Sequence, residues 1–197
     1  MVTLTKTRIE ALSDGVIAIA MTLLVLELKV PHDSSPSALL DLWPTFASYA
    51  LSYLFVGIVW VNHHHLLRYA ERADAPVIWS NLAFLFFVSL IPFFTGYVAE
   101  TRMDPFPTAL YAAIFLAITL AFMIFQRSIT KQVVDIADAR AMCEAGGRRN
   151  WIAAAIYALA IPAAYIHPAI SLGLILIVGG LYFVPSAIGA ATRPRHS

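Results

Sequence analysis

Charge and cysteine are what this sequence has least of, and each shortage narrows its class. Only 13% of its 197 residues are Asp, Glu, Lys or Arg, against about 25% in soluble domains. Hydrophobic residues make up 60%, and the mean hydropathy is +0.76. A chain so poor in charge reads as an integral membrane protein. Cys143 is the single cysteine, which excludes an intrachain disulfide and any zinc or iron–sulfur centre built on cysteines. A formal net charge of +1 leaves no electrostatic footprint for nucleic acid. No serine nucleophile or paired carboxylates accompany the histidines, so no enzyme is expected.

What the chain does have is long apolar runs. Six of them are long enough to cross about 30 Å of hydrocarbon at 1.5 Å per residue: about 9–30, 43–67, 77–99, 107–129, 150–166 and 169–191. The expected fold is all-α, a polytopic six-helix transmembrane bundle in which residues 1–197 form a single membrane domain. Pro162, His167 and Pro168 mark a tight break between the last two spans. With six spans, eleven Lys and Arg residues fall on the side of the termini and only Lys29 and Arg102 on the other. The positive-inside rule then places both termini in the cytoplasm. Ala18-Ile-Ala20 mimics a signal-peptide cleavage box but lies inside the first apolar run, which is therefore expected to remain. The polar connector 127–149 reads as an extension of the fourth helix, with room for surface ion pairs between Asp135 and Arg140.

The first span starts from Arg8, Ser13 and Asp14. Ionised groups in spanning helices are costly and normally face protein or water. The second span ends in Trp60-Val-Asn62-His63-His64-His65 and the third begins near Asn81. Three helices thus bring polar side chains to one membrane depth, and burial requires that they bond to each other. A network from Asp14 to a histidine, Asn or Arg is expected, with the choice of histidine left open. Neighbouring residues on a helix lie about 100° apart, so His63, His64 and His65 do not converge on one ion, and no metal site is expected. A structural hydrogen-bond layer and a histidine-based pH sensor both remain open.

Advancing 100° per residue from Ile19 at 0° places Leu12, Leu23, Leu26 and Val30 within about 40° of it, with Thr22 at about −60° and Asp14 at about −140°. The first helix therefore has a bulky aliphatic stripe. Periodicity alone gives that stripe to lipid or core.

Arg8-x-x-x-Leu12-Ser13-Asp14 resembles the Arg-x-x-x-Phe-Ser-Asp signature of the transmembrane protein 175 potassium channels, whose bacterial members are six-span proteins. The run Gly15 to Pro31, Trp60-x-x-His63-His64, Asn81 and Pro92-Phe93-x-Thr95 are similar to that family's first three spans in order. The likeness covers roughly residues 5–97, beyond which only the span count agrees. Leu12 departs from the signature's Phe.

The resemblance implies a homotetramer in the cell membrane, for a bacterial protein the inner membrane, with the first helix lining a central pore. No Thr-Val-Gly-Tyr-Gly filter loop occurs here. By position from Asp14, the family's hydrophobic constriction falls on Ile19, followed by Thr22, Leu23 and Leu26. Arg8, Ser13, Asp14, Trp60, His63, His64 and Asn81 then form a polar layer that orients the pore helix. The expected function is passive, potassium-selective permeation, with permeant potassium ions and membrane lipids as the only partners beyond the other subunits and with no cofactor. A proton-coupled secondary transporter with an Asp14/His relay is the alternative. Glu27 is expected near the external mouth, attracting cations or pairing with Lys29 or Arg102.

Overall fold

The computed structural model describes residues 5–31, 33–133 and 137–191, with the backbone alone at 137–145 and 183–191. Among these residues there are α-helices and no strand. Helix α1 (Lys6–Leu23) runs on into a 3-10 turn, Leu24–Glu27, and a short α2 (Pro36–Leu40) comes next. After it stand α3 (Trp43–Leu67), α4 (Ala75–Ser89), α5 (Ile91–Glu100) and α6 (Pro105–Thr130). The last two are α7 (Ala137–Ile166) and α8 (Pro168–Ala191).

Four segments among the described residues are long and apolar enough to cross a membrane: Lys6–Glu27, Trp43–Leu67, Ala75–Glu100 and Pro105–Thr130. A shorter apolar helix covers Pro168–Tyr182. The fifth and sixth expected spans fall inside α7 and α8.

Residue chemistry explains where the helices start and stop. Ser35 caps α2 by accepting the Ala38 N–H at 3.3 Å, and Asp74 caps α4 by accepting the Val77 N–H at 3.1 Å. The third span is two helices, not one. Pro92 has no N–H to continue the ladder of α4, so the chain tightens at Leu90, whose N–H reaches the Phe87 carbonyl at 3.2 Å, and restarts as α5. His167 alone separates α7 from α8, and its Nδ1 accepts the Ala169 N–H at 3.2 Å.

The polar connector corrects one expectation. Helix α6 ends at Thr130, and residues 137–149 open α7 instead of prolonging α6. The chain turns at Lys131 to Val133, where the Gln132 amide accepts the Glu71 and Arg72 N–H groups and donates to the Arg72 carbonyl. Asp135 and the side chain of Arg140 lie outside the described residues, as do the side chains of Asp138, Cys143 and Glu144.

The core is organised around α6. Its Tyr111, Phe115 and Ile118 join Ile17 and Leu24 from the first segment, Phe55 and Val56 from α3, Phe84 from α4 and Tyr157 from α7. A second cluster, Ile9, Leu66, Leu67, Val77, Phe125 and Ile129, closes the bundle at the end where α1 begins. Between aromatic and aliphatic surfaces of this kind, association in lipid rests on close van der Waals packing. Gly179 of α8 allows the Phe55 ring of α3 to pack against its backbone.

Candidate functional site: the two faces of the first helix

Helix α1 buries one face against α3 and α4: Ile9, Ser13, Ile17 and Ala20, with Leu24 continuing the line. Ser13 and Ile17 are wholly inaccessible. On the 100° wheel these residues centre about 120° from Ile19.

Ser13 belongs to a directed chain of hydrogen bonds across three helices. Its hydroxyl donates to the Ile9 carbonyl at 2.8 Å, one turn back. Its oxygen accepts from Asn81 Nδ2 at 3.0 Å, and Asn81 Oδ1 lies 2.8 Å from His63 Nε2. An amide oxygen only accepts, so His63 carries its proton on Nε2. The Phe84 and Phe125 rings stack on either side of the imidazole, with centroids 5.5 and 5.3 Å away. All three polar residues of the chain are buried.

Asp14 stands apart from that chain and is exposed. Its Oδ1 accepts the Trp60 indole N–H at 2.8 Å, and the exposed His64 ring stacks on Trp60 at 5.8 Å. The expected bond from Asp14 to a histidine, Asn or Arg is therefore replaced by one to Trp60. The reason is geometric: the buried face of α1 carries Ser13, and Asp14, one residue on, has rotated out of reach of Asn81 and His63. Arg8 is exposed at the start of the helix. The expected layer is thus a buried Ser13–Asn81–His63 chain and an outer Asp14–Trp60–His64 group.

The opposite face of α1 is apolar and uncovered within the subunit. Ile19 is 59% exposed, Leu23 41% and Leu26 71%. Thr22, also exposed, donates its hydroxyl proton to the Ile19 carbonyl at 2.9 Å, which leaves its oxygen lone pairs outward.

The 3-10 turn redirects the residues beyond Leu23. At about 120° per residue, Leu26 remains on the stripe, while Glu27 swings from about 80° to about 160°, further from the stripe. Its carboxylate rests against Gly96 of α5, where a Cβ would meet it. Lys29 pairs with Glu100 and not with Glu27, and this contact holds the Lys29 ammonium above its ordinary range.

Two further networks lie outside the polar layer expected from the sequence. Tyr111, Ser52 and Thr95 form a second chain, with oxygen separations of 2.6 and 2.7 Å, and Thr95 donates to the Ile91 carbonyl at 2.8 Å. Near the start of the apolar part of α7, Arg149 Nη2 donates to Asn62 Oδ1 at 2.8 Å and the guanidinium lies 4.3 Å from the Tyr182 ring centre. Tyr182 in turn donates to Asn150 Oδ1, and Asn150 Nδ2 to Gln126 Oε1. Among the described residues no group of three or more His, Cys, Asp or Glu is placed to hold a metal.

Comparison with known proteins matches these features to one group. The family model described as endosomal/lysosomal potassium channel TMEM175 matches residues 8–92. A protein of Chryseobacterium sp. named a potassium channel is 32% identical over 92% of this chain and 94% of its own length. A Streptomyces collinus protein of the same description is 39% identical over 63% of this chain and 64% of its own. Animal relatives, named endosomal/lysosomal proton channel TMEM175, align over a small part of their length; the chicken protein is 35% identical over 45% of this chain and 20% of its own. The crystal structure of a lysosomal potassium-selective channel TMEM175 homologue from Chamaesiphon minutus superposes with a TM-score of 0.81 at 32% identity. It covers 92% of this chain and 97% of that one.

Proposed function

The chain belongs to the TMEM175 family, and from that premise we propose that it is a passive potassium channel of the cell membrane, a homotetramer of six-span subunits in which α1 lines the central pore. Residues 1–197 form one membrane domain, both termini lie in the cytoplasm, and in a bacterium the membrane is the inner one. No cofactor takes part beyond the permeant potassium ion. Chryseobacterium and Streptomyces relatives carry the name potassium channel.

One observation carries the pore reading. Helix α1 is anchored to its own subunit by a buried polar chain on one side and leaves Ile19, Leu23 and Leu26 uncovered on the other. In a tetramer this free stripe faces the symmetry axis. Four Ile19 side chains then make a narrow apolar ring that impedes water and sets the barrier to ions, since hydrophobic constrictions gate by dewetting. One turn outward, Thr22 presents hydroxyl lone pairs that replace part of an ion's lost hydration. Potassium, which holds water less tightly than sodium, loses less there. The Ser13–Asn81–His63 chain and the Asp14–Trp60 bond set the rotation of α1 and hence the direction in which Ile19 points. Arg8 and His64 flank this layer.

Proton-coupled transport is the second reading, favoured by the name of the animal relatives. It requires an Asp14/His relay, and among the described residues Asp14 bonds Trp60 while His63 bonds Asn81.

Reversal potentials in planar bilayers under opposed potassium and sodium gradients, with a separate proton gradient, test both. Potassium-selective unitary currents that become larger or less selective in Ile19→Asn support the apolar ring. Proton-driven uptake without unitary currents moves the protein to the carrier reading, and currents indifferent to Ile19 move the pore lining elsewhere.

A further inference from the structure

Arg149 combines three properties that the channel reading does not use. It is half-buried within the helix bundle, its buried Nε has no hydrogen-bond partner among the described residues, and no carboxylate pairs with it among them. Its contacts are neutral: the Asn62 amide oxygen and the face of Tyr182. Arg148, beside it, is exposed and carries a second positive charge. A guanidinium at the edge of a membrane-spanning bundle normally finds an anion.

Asn62 and Tyr182, the two side chains that hold the guanidinium, also line a cavity of about 50 Å³ between α3, α6, α7 and α8. Apart from Thr119, whose hydroxyl donates to the Phe115 carbonyl, the rest of its wall is apolar or aromatic, including Phe55, Val59, Phe115 and Phe122. Water would find few polar partners there, whereas a hydrocarbon segment fits the lining. The charge therefore stands beside two of the cavity's lining residues, Asn62 and Tyr182, next to a largely apolar slot. A cation beside a largely apolar slot matches an anionic amphiphile, and basic pockets between spanning helices are where anionic headgroups bind.

We propose that Arg149 and this cavity form a binding site for an anionic phospholipid, with the phosphate on Arg149 and Arg148 and part of one acyl chain in the cavity. The planar guanidinium suits phosphate, which it contacts through charge-assisted hydrogen bonds. Arg149 ties α3 and α8 together through Asn62 and Tyr182, so the lipid sits at a junction of three helices without touching α1.

Native mass spectrometry of the purified full chain, offered an equimolar mixture of phosphatidylglycerol and phosphatidylcholine, tests the site. The natural protein should retain phosphatidylglycerol with a preference of about fivefold or more, the order expected of one arginine against an anionic headgroup. Arg149→Gln should bring the two lipids to equal retention. Val59→Phe, which narrows the cavity and keeps the charge, should lower retention of phosphatidylglycerol, and it supplies the reading if Arg149→Gln fails to fold. Equal retention by the natural protein, or a preference that survives Arg149→Gln, overturns the site. Retention of phosphatidylglycerol unchanged by Val59→Phe overturns the cavity as the seat of the chain. None of these outcomes depends on which ion the protein passes.

Discussion

Asn81 receives the Nε2 proton of His63 at 2.8 Å and passes its own amide proton to Ser13, so one side chain joins the first three spanning segments. Each member has one role in the direction of the chain. The series ends at a backbone carbonyl, that of Ile9. A directed polar chain of this kind fixes the rotation of helices about their axes, which packing of aliphatic side chains alone does less sharply.

Asn81→Leu should therefore be more damaging than the pair Asn81→Leu with His63→Phe. The single change leaves a buried imidazole N–H without an acceptor, a penalty of about 1–3 kcal/mol, whereas removing both partners in favour of apolar groups is milder. Thermal unfolding of the purified protein, followed as a double-mutant cycle, should show that rescue. Additive losses would mean that the two side chains act independently.

Asp14 and Trp60 form the exposed counterpart of that chain. Asp14→Ala should reduce assembly or folding more than it alters ion selectivity, and Trp60→Phe should be the milder of the two, since it removes one hydrogen bond worth about 0.5–1.5 kcal/mol. Size-exclusion profiles and reversal potentials on the same preparations check this. Intact oligomers with a changed selectivity would instead put Asp14 in the permeation path.

These two groups show what one sequence discloses. The apolar runs made the four segments long enough to cross a membrane readable to within a few residues, because length and hydropathy are local properties. The polar layer was readable as a set of residues, yet its wiring was not. Charge drew attention to Asp14, while burial singles out its neighbour Ser13, and which of two adjacent residues turns inward depends on the partners that α3 and α4 supply. Ser52 and Tyr111 gave no signal, and Thr95 stood out only within the family-like Pro92-Phe93-x-Thr95: a lone hydroxyl in an apolar helix ordinarily bonds its own backbone, and their meeting joins positions 43 and 59 residues apart. The break at Pro92 had a visible cause, since proline was there to be seen. The 3-10 turn after Leu23 had none, because Leu24-Val-Leu-Glu27 contains no residue that disfavours an α-helix strongly.

The Tyr111–Ser52–Thr95 chain has a direction that predicts an order of severity. Thr95 spends its proton on the Ile91 carbonyl, so Ser52 donates to Thr95 and Tyr111 donates to Ser52. Ser52→Ala strands the Tyr111 hydroxyl and should cost about 1–3 kcal/mol. Tyr111→Phe removes only the first donor and leaves Ser52 bonded to Thr95, near the average of about 0.6 kcal/mol for interhelical hydrogen bonds in membranes. Melting temperatures of the two variants should fall in that order, and the reverse order would mean that the chain runs the other way.

Glu27 and Gly96 carry the last prediction, and it turns on the 3-10 turn. Were α1 regular to its end, Glu27 would stand toward the external mouth, and its neutralisation would weaken cation attraction there. The tighter turn instead lays the carboxylate against α5, at the place a side chain on residue 96 would occupy. Glu27→Gln should accordingly leave conductance at low ionic strength nearly unchanged. Gly96→Ala should displace the carboxylate, and because what must move is the end of a flexible side chain, the loss of stability should stay under about 1 kcal/mol, below the 1–3 kcal/mol of an overpacked core. A carboxylate released toward the mouth concentrates cations there, an effect that salt screens. Gly96→Ala should then raise inward cation conductance at low salt, and Gly96→Ala with Glu27→Gln should not. A large drop in conductance from Glu27→Gln alone would show that the carboxylate already faces the ion path.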